Sequence, residues 1–287
     1  MRVLVVGASG AVGAHLVPLL TAARHQVIGV TRTPGALASV KAQEVVADLT
    51  DRDGFLAAIA GLKVDAIVHQ GTALSRAPLR YRDMRATNRL RSEGTSTLIA
   101  AARQLGVKRF VAASFFAGYG LWDHGRRPLE ETAPFGEQSR HPDPVLAALD
   151  SLELQTLAFG GIALRYGLFY GGGETTVSPV PRHWGGVLPM VHVRDAASAV
   201  VAALAKGTPG SVYNIADDHP MSFRAREGAR AKALGLRAPL ELPEGLLRVV
   251  APYAAQLVTR TSMRLSTEKA QAELGWRATE SLSPVVG

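Results

Sequence analysis

The chain has 287 residues with 47% hydrophobic content, which suits one large α/β domain or a domain carrying a smaller lobe, with enough apolar residues for a real core. It contains no cysteine, so disulfides, thiolate metal sites and cysteine nucleophiles are excluded. The net charge of +8 is almost all arginine, scattered without a block of like charges or basic–aromatic interleaving, so no nucleic-acid partner is expected.

Arg2–Val6 reads as a buried strand and runs directly into Gly7-Ala8-Ser9-Gly10-Ala11-Val12-Gly13. An apolar helical pattern follows at Val12, Leu16, Leu19 and Leu20. Strand, glycine turn and helix together predict a phosphate cradle, here spaced GxxGxxG. Gly7 permits the tight turn, Gly10 lets a pyrophosphate approach the backbone, and Gly13 lets the helix pack on the sheet. The diphosphate then lies on unpaired N–H groups at the helix N-terminus. The candidate cradle is Gly7, Ser9, Gly10, Ala11, Val12 and Gly13. The short apolar start is a strand rather than a leader peptide, and no uncharged apolar run approaches ~18 residues. A cytoplasmic protein with no membrane partner is expected.

Further strands are predicted at 26–31, 44–47, 65–69, 108–113, 161–165 and 212–215. Helices are predicted at about 51–60, 82–105, 143–159, 194–205, 223–234, 243–258 and 266–274. The alternation predicts an α/β fold of Rossmann type, a doubly wound parallel sheet with a smaller C-terminal substrate lobe. The expected division is a dinucleotide-binding domain over 1–165 and a mainly substrate-binding lobe over 166–287, with about 190–216 returning to the sheet. The loop-rich stretch 115–140 follows a strand's carboxyl end, where open α/β sheets bind ligands.

The chain resembles the extended short-chain dehydrogenase/reductases, the NAD-dependent epimerase/dehydratase group. The resemblance rests on GASGAVG at 7–13, ADL at 47–49, DAIVHQGTA at 65–73, ATN at 86–88 followed by EGTSTLIAAA, and VKRFVAAS at 107–114. It continues through AGYG at 117–120, LRYGLFYGGG at 164–173, VHVRDAA at 191–197 and VYNIADD at 212–218. Thr31 and Arg32 end the second strand, where an arginine accommodates a 2′-phosphate, so NADP(H) is favoured over NAD(H). The resemblance implies an adenine pocket at Asp48 and Leu49. It implies a loop under the pyrophosphate and ribose at Gln70, Gly71, Thr72 and Ala73, and a brace near the cofactor at Asn88. Ala113, on the fifth strand, joins this set.

The family's catalytic engine does not carry over. It uses a Ser or Thr with a Tyr and, four residues later, a Lys that lowers the tyrosine pKa. Counting back from Glu153, Val145 stands at the tyrosine position and Leu149 at the lysine position, and no YxxxK occurs in the chain. Ser114 matches the first serine of the family's serine pair, and Phe115 replaces the second. Leu168 replaces an asparagine common in the nucleotide-sugar members, and the stretch before Val191 lacks their phosphate-gripping arginine. A smaller, largely apolar substrate is expected.

Proton-transfer candidates are Ser114, Tyr119 and Tyr166, with His141, Asp143, Glu174 and His183 on flanking loops. The eight histidines are dispersed and no metal site is expected. The sequence favours an NADP(H)-dependent oxidoreductase acting on a small, largely apolar organic molecule. It leaves open a non-catalytic cofactor-binding sensor or scaffold, and a non-redox dehydratase or cyclase. A homodimer is the assembly the resemblance suggests.

Overall fold

The computed structural model describes residues 1–280 apart from 39, 41, 75, 137–142 and 174. The strands are β1 (Arg2–Val6), β2 (Gln26–Thr31), β3 (Gln43–Val46), β4 (Ala66–His69), β5 (Arg109–Phe115), β6 (Ile162–Tyr166), β7 (Leu168–Tyr170), β8 (Val180–Pro181), β9 (Val187–Leu188), β10 (Met190–His192), β11 (Val212–Ile215), β12 (Met221–Ser222) and β13 (Glu241–Leu242). The α-helices are α1 (Gly13–Ala22), α2 (Arg52–Ala58), α3 (Arg85–Arg89), α4 (Thr95–Gln104), α5 (Pro144–Ala158), α6 (Val193–Lys206), α7 (Phe223–Ala233), α8 (Glu244–Val250) and α9 (Pro252–Arg260).

Seven strands form one parallel sheet in the order β11-β6-β5-β4-β1-β2-β3. Such a sheet is buried on both faces, which is why its strands read as near-continuous apolar runs. On one face Val3, Val5, Leu164 and Tyr213 pack against Leu16 and Leu20 of α1, Val200 and Ala203 of α6, and Trp276. On the other, Leu4, Ile67 and Phe110 pack against Phe55 of α2, Leu98 of α4 and Leu152 of α5. Fully burying one such side chain contributes about 1.5–3 kcal/mol before entropy is counted. A third apolar cluster joins the sheet's carboxyl end to the C-terminal segments through Phe116, Tyr119, Val145, Leu149, Tyr253 and Met263.

Several boundaries differ from the sequence reading. Strand β5 runs to Phe115 and β6 to Tyr166, so Ser114 and Tyr166 lie on strands rather than after them. The long helix expected at 82–105 begins as a 3-10 turn at Tyr81–Met84 and is interrupted by a π turn at Leu90–Gly94 between α3 and α4. Pro252 divides the helix expected at 243–258. The residue before a proline avoids helical backbone, and Ala251 has φ −140° and ψ 61°. At 266–274 a π turn spans Ala270–Leu274.

Candidate cofactor and substrate site

The glycine turn has the backbone geometry a cradle requires. Gly7 has φ +86°, and a Cβ there would lie 2.6 Å from the carbonyl oxygen of Gln70. A Cβ on Gly13 would lie 2.1 Å from the carbonyl oxygen of Gly7. Both clashes are with backbone, so neither can be relieved by a side-chain movement. The turn closes through the Gly10 N–H on the Gly7 carbonyl at 3.0 Å. Ser9, Gly10 and Ala11 are exposed at the mouth of α1, and the N–H groups of Ser9, Ala11 and Val12 find no acceptor among the described residues. His15 is held below its ordinary pKa by burial and then by Arg194 and His192, a sign of positive potential around this helix. An electropositive opening with free N–H groups fits a pyrophosphate.

The residues expected on the adenosine side lie at and just beyond the ends of β2 and β3. Arg32 is exposed and forms no hydrogen bond or ion pair among the described residues. Thr31 is the last residue of β2. It is buried, and its hydroxyl is engaged with the Thr33 carbonyl and Glu44 Oε1, each at 3.1 Å. Glu44 also takes the N–H groups of Gly35 and Leu37, and these bonds hold its carboxyl below the ordinary range. Asp48 Oδ1 takes the N–H and hydroxyl of Thr50, each at 2.8 Å. Those bonds, with the positive charges of Arg32 and Arg89, keep Asp48 ionised well below its ordinary range. Leu49 is buried against Gly94, where a Cβ would meet its Cδ2 at 2.8 Å.

The loop after β4 is tied down from below. The Gly71 N–H donates to His69 Nδ1 at 3.3 Å, so the ring's proton is on Nε2, 3.3 Å from the Leu90 carbonyl. Full burial pushes the His69 pKa down to about 4, and the neutral ring keeps both bonds at physiological pH. Thr72 is exposed, and the Ala73 N–H donates to Thr87 Oγ1 at 3.1 Å. Gln70 is buried, and its side-chain amide donates to the Tyr166 hydroxyl at 3.2 Å. Asn88 carries a buried Oδ1 with no partner, and Ala113 is half-buried on the face shared with α1 and α6.

None of the three proton-transfer candidates keeps a hydroxyl that is both free and accessible. Ser114 donates to Glu153 Oε1 at 2.5 Å, and both residues are buried. Tyr119 donates to Asn214 Oδ1 and accepts from Arg165, each at 2.8 Å. Burial pushes the Tyr119 phenol up to about 12, with Arg165 pulling against it. Tyr166 is the last residue of β6, has no exposure, and is raised by burial above its ordinary range. Tertiary packing turns each of these three hydroxyls inward, onto a partner within the protein.

Sequence reasoning missed the network that engages them. Ser114, Arg165 and Asn214 lie side by side in register on β5, β6 and β11. Glu153 of α5 covers this row and pairs with Arg165 at 2.7 Å, both side chains being 5% exposed. Asn214 also donates its backbone N–H to Glu131 Oε1 and its side-chain amide to the Leu129 and Ser266 carbonyls. The available signal was an Arg and an Asn, each inside an otherwise apolar strand.

At the positions of the missing pair, Val145 and Leu149 are buried in the third cluster with Phe116, Tyr119, Met84 and Tyr253. Asp143 caps α5 through the Val145 N–H at 2.8 Å, and exposed His183 gives its N–H to Glu244. His141 and Glu174 lie outside the described residues. Gly172 comes down on the cradle, its Cβ position 3.6 Å from that of Ala11, so the loop after β7 covers the glycine turn.

A family model described as "NAD dependent epimerase/dehydratase family" matches residues 3–184. A Streptomyces 3-diazoavenalumate denitrifying reductase is 34% identical over 97% of this chain and 96% of its own length. A Stigmatella aurantiaca 4-hydroxy-2-methyl-3-oxo-4-farnesyl-3,4-dihydroquinoline-1-oxide ketoreductase is 27% identical over 96% of this chain and 92% of its own. Among solved structures, the UDP-glucose 4-epimerase of Thermotoga maritima superposes with a TM-score of 0.80 at 21% identity, covering 98% of this chain and 95% of that one. That likeness is one of fold.

Proposed function

The chain belongs to the NAD-dependent epimerase/dehydratase family, and from that premise we propose that it is an NADP(H)-dependent reductase of a small, largely apolar organic substrate. One observation carries the reading. A complete nucleotide cradle stands beside a site where Val145 and Leu149 occupy the proton-relay positions and Ser114, Tyr119 and Tyr166 all bond inward. The reaction that fits is one in which the protein supplies no acid.

The chain's own residues bind and orient. Ser9, Ala11 and Val12 offer N–H groups to the pyrophosphate, Arg32 is free for a 2′-phosphate, and Asp48 with Leu49 borders the adenine. His69 and Thr87 hold the loop beneath the ribose. Phe116, Val145, Leu149 and Tyr253 keep water from the reacting centre. The nicotinamide, when bound, supplies a hydride with its electron pair.

The Streptomyces relative named for denitrifying a diazo compound suggests one acceptor class. An aryl diazonium carbon that takes a hydride forms a C–H bond and releases dinitrogen with the C–N electron pair. That balance needs no proton from the protein. A conjugated carbonyl is the second class, in keeping with the ketoreductase relative, its reduced anion taking a proton from solvent as the product leaves the site.

The test is anaerobic NADPH oxidation with 4-carboxybenzenediazonium and with a panel of enones. Substrate-dependent turnover, with deuterium carried from labelled NADPH into product, is the expected result. NADPH that binds without oxidation by any acceptor would leave a sensor or scaffold. Turnover of a substrate without label transfer would leave a non-redox dehydratase or cyclase.

A further inference from the structure

Helix α3, the π turn and α4 form one rod, and one side of that rod is polar. Thr87 holds the Ala73 N–H of the cofactor loop. Asn88 follows, and Arg91 lies four residues after Thr87 and three after Asn88, so the three share a face. Arg91 is within the π turn, a helical irregularity that recurs at functional sites.

Arg91 is 8% exposed, yet its guanidinium makes no hydrogen bond or ion pair among the described residues. Its Nη1 is completely buried without a partner, as is Asn88 Oδ1. The charge is felt by His69 at the end of β4 and by Tyr253 of α9. Tyr253 belongs to the apolar cluster of Met84, Phe116, Val145 and Leu149. The guanidinium thus shares a helix face with Thr87, which holds the cofactor loop, and its charge reaches a tyrosine of the apolar cluster. Burial pushes its pKa down to about 10, which still leaves it cationic at neutral pH.

A buried charge with no partner is strongly unfavourable unless something pairs with it. The neighbours do not. His69 is neutral, and Asp143, which acts on the same tyrosine, has its Oδ1 engaged by the Val145 N–H. We propose that Arg91 is the anchor for a carboxylate on an apolar, ring-sized substrate. A guanidinium meets a carboxylate with two parallel hydrogen bonds. A phosphate dianion would call for a second cation, and the cluster of Met84, Phe116, Val145, Leu149 and Tyr253 offers none. The assignment deepens the reductase reading by naming the substrate's charged group. It rests on that reading only for the hydride donor beside it.

The experiment titrates the NADP⁺-loaded protein with cinnamate, benzoate and phenylacetate and with their primary amides, by calorimetry. In the wild type the acids bind at least about tenfold more tightly than the amides. Arg91→Met abolishes that preference by weakening the acids alone, with a Tm equal to or above that of the wild type. Arg91→Lys keeps part of it, since the charge remains and the fork is lost. Equal binding of acids and amides, a preference that survives in Arg91→Met, or no saturable binding by any acid would each overturn the assignment. So would displacement of cinnamate by equimolar inorganic phosphate. NADPH fluorescence is read separately on the same protein. Failure there removes the reductase reading and leaves the anion site standing.

Discussion

Arg32 and Asp217 show how two charged side chains can be read from their surroundings alone. Arg32 follows β2, exposed and unpaired among the described residues. A charge-assisted hydrogen bond contributes about 1.5–3 kcal/mol, so Arg32→Ala is expected to weaken NADPH binding roughly 10–100-fold. NADH, which lacks the 2′-phosphate, should bind the variant about as well as the wild type. Fluorescence titration of both cofactors checks the ratio. Asp217 is buried, accepts from the Tyr170 hydroxyl at 3.0 Å, and has a pKa raised by burial to about 6. Its folded pKa lies above the ordinary 3.8, so the folded state holds the proton more tightly. The stability contributed is present below the ordinary pKa and is lost as pH rises through about 6. Asp217→Asn, which cannot ionise, should therefore gain in Tm relative to the wild type as pH is raised from about 4 to 7. Thermal melts across that range test the sign.

At the scale of elements, α5 is held to the sheet by a polar fastening inside an apolar contact. Glu153 reaches Ser114 on β5 and Arg165 on β6, and Arg165 also stacks 4.0 Å from the Phe135 ring centroid. Removing one partner of a buried pair leaves the other charge uncompensated, at about 3–5 kcal/mol. Arg165→Met should lose that much, and the double variant Glu153→Leu with Arg165→Met should regain much of it. Urea unfolding of the single and double variants measures both, and equal stabilities for the two would contradict the account. The helix at 143–159 was legible from the sequence because a long, largely apolar stretch follows Pro144 without a further Gly or Pro. The fastening was not, since Ser114, Glu153, Arg165 and Asn214 are far apart in the chain and meet only when the strands take their register. The π turn was equally hidden, because the apolar spacing of 82–105 reads as one continuous helix.

At the scale of the whole molecule, the chain's last described segment closes onto the sheet. Asp195, near the start of α6, accepts the Thr279 and Glu280 N–H groups and the Thr279 hydroxyl, at 2.9–3.1 Å. The Trp276 indole donates to the Asp195 carbonyl and to Ser198. Through these bonds Asp195 holds residues 276–280. Asp195→Ala should release that segment, with faster cleavage by limited proteolysis near its end and a loss of about 2–4 kcal/mol from the carboxylate's bonds. In α7, Glu227 is fully buried, pairs with Arg226 and Arg230, and takes the Ser178 N–H at 2.6 Å, so α7 pins the chain beyond β7. No helix among the described residues is long and apolar enough to cross a membrane.

By itself the sequence determined the sheet, the glycine cradle and the missing Tyr–Lys pair. Each of these is written in local spacing: apolar runs, GxxGxxG after a strand, and a fixed count back from Glu153. Only the tertiary structure decided what the remaining polar groups do. It turned Ser114, Tyr119 and Tyr166 into internal partners and left Arg91 buried and unpaired beside an apolar wall. The physical reason is that a hydroxyl or guanidinium has no role until its neighbours are known. Those neighbours come from β4, β6, β11 and α9, which only folding brings together.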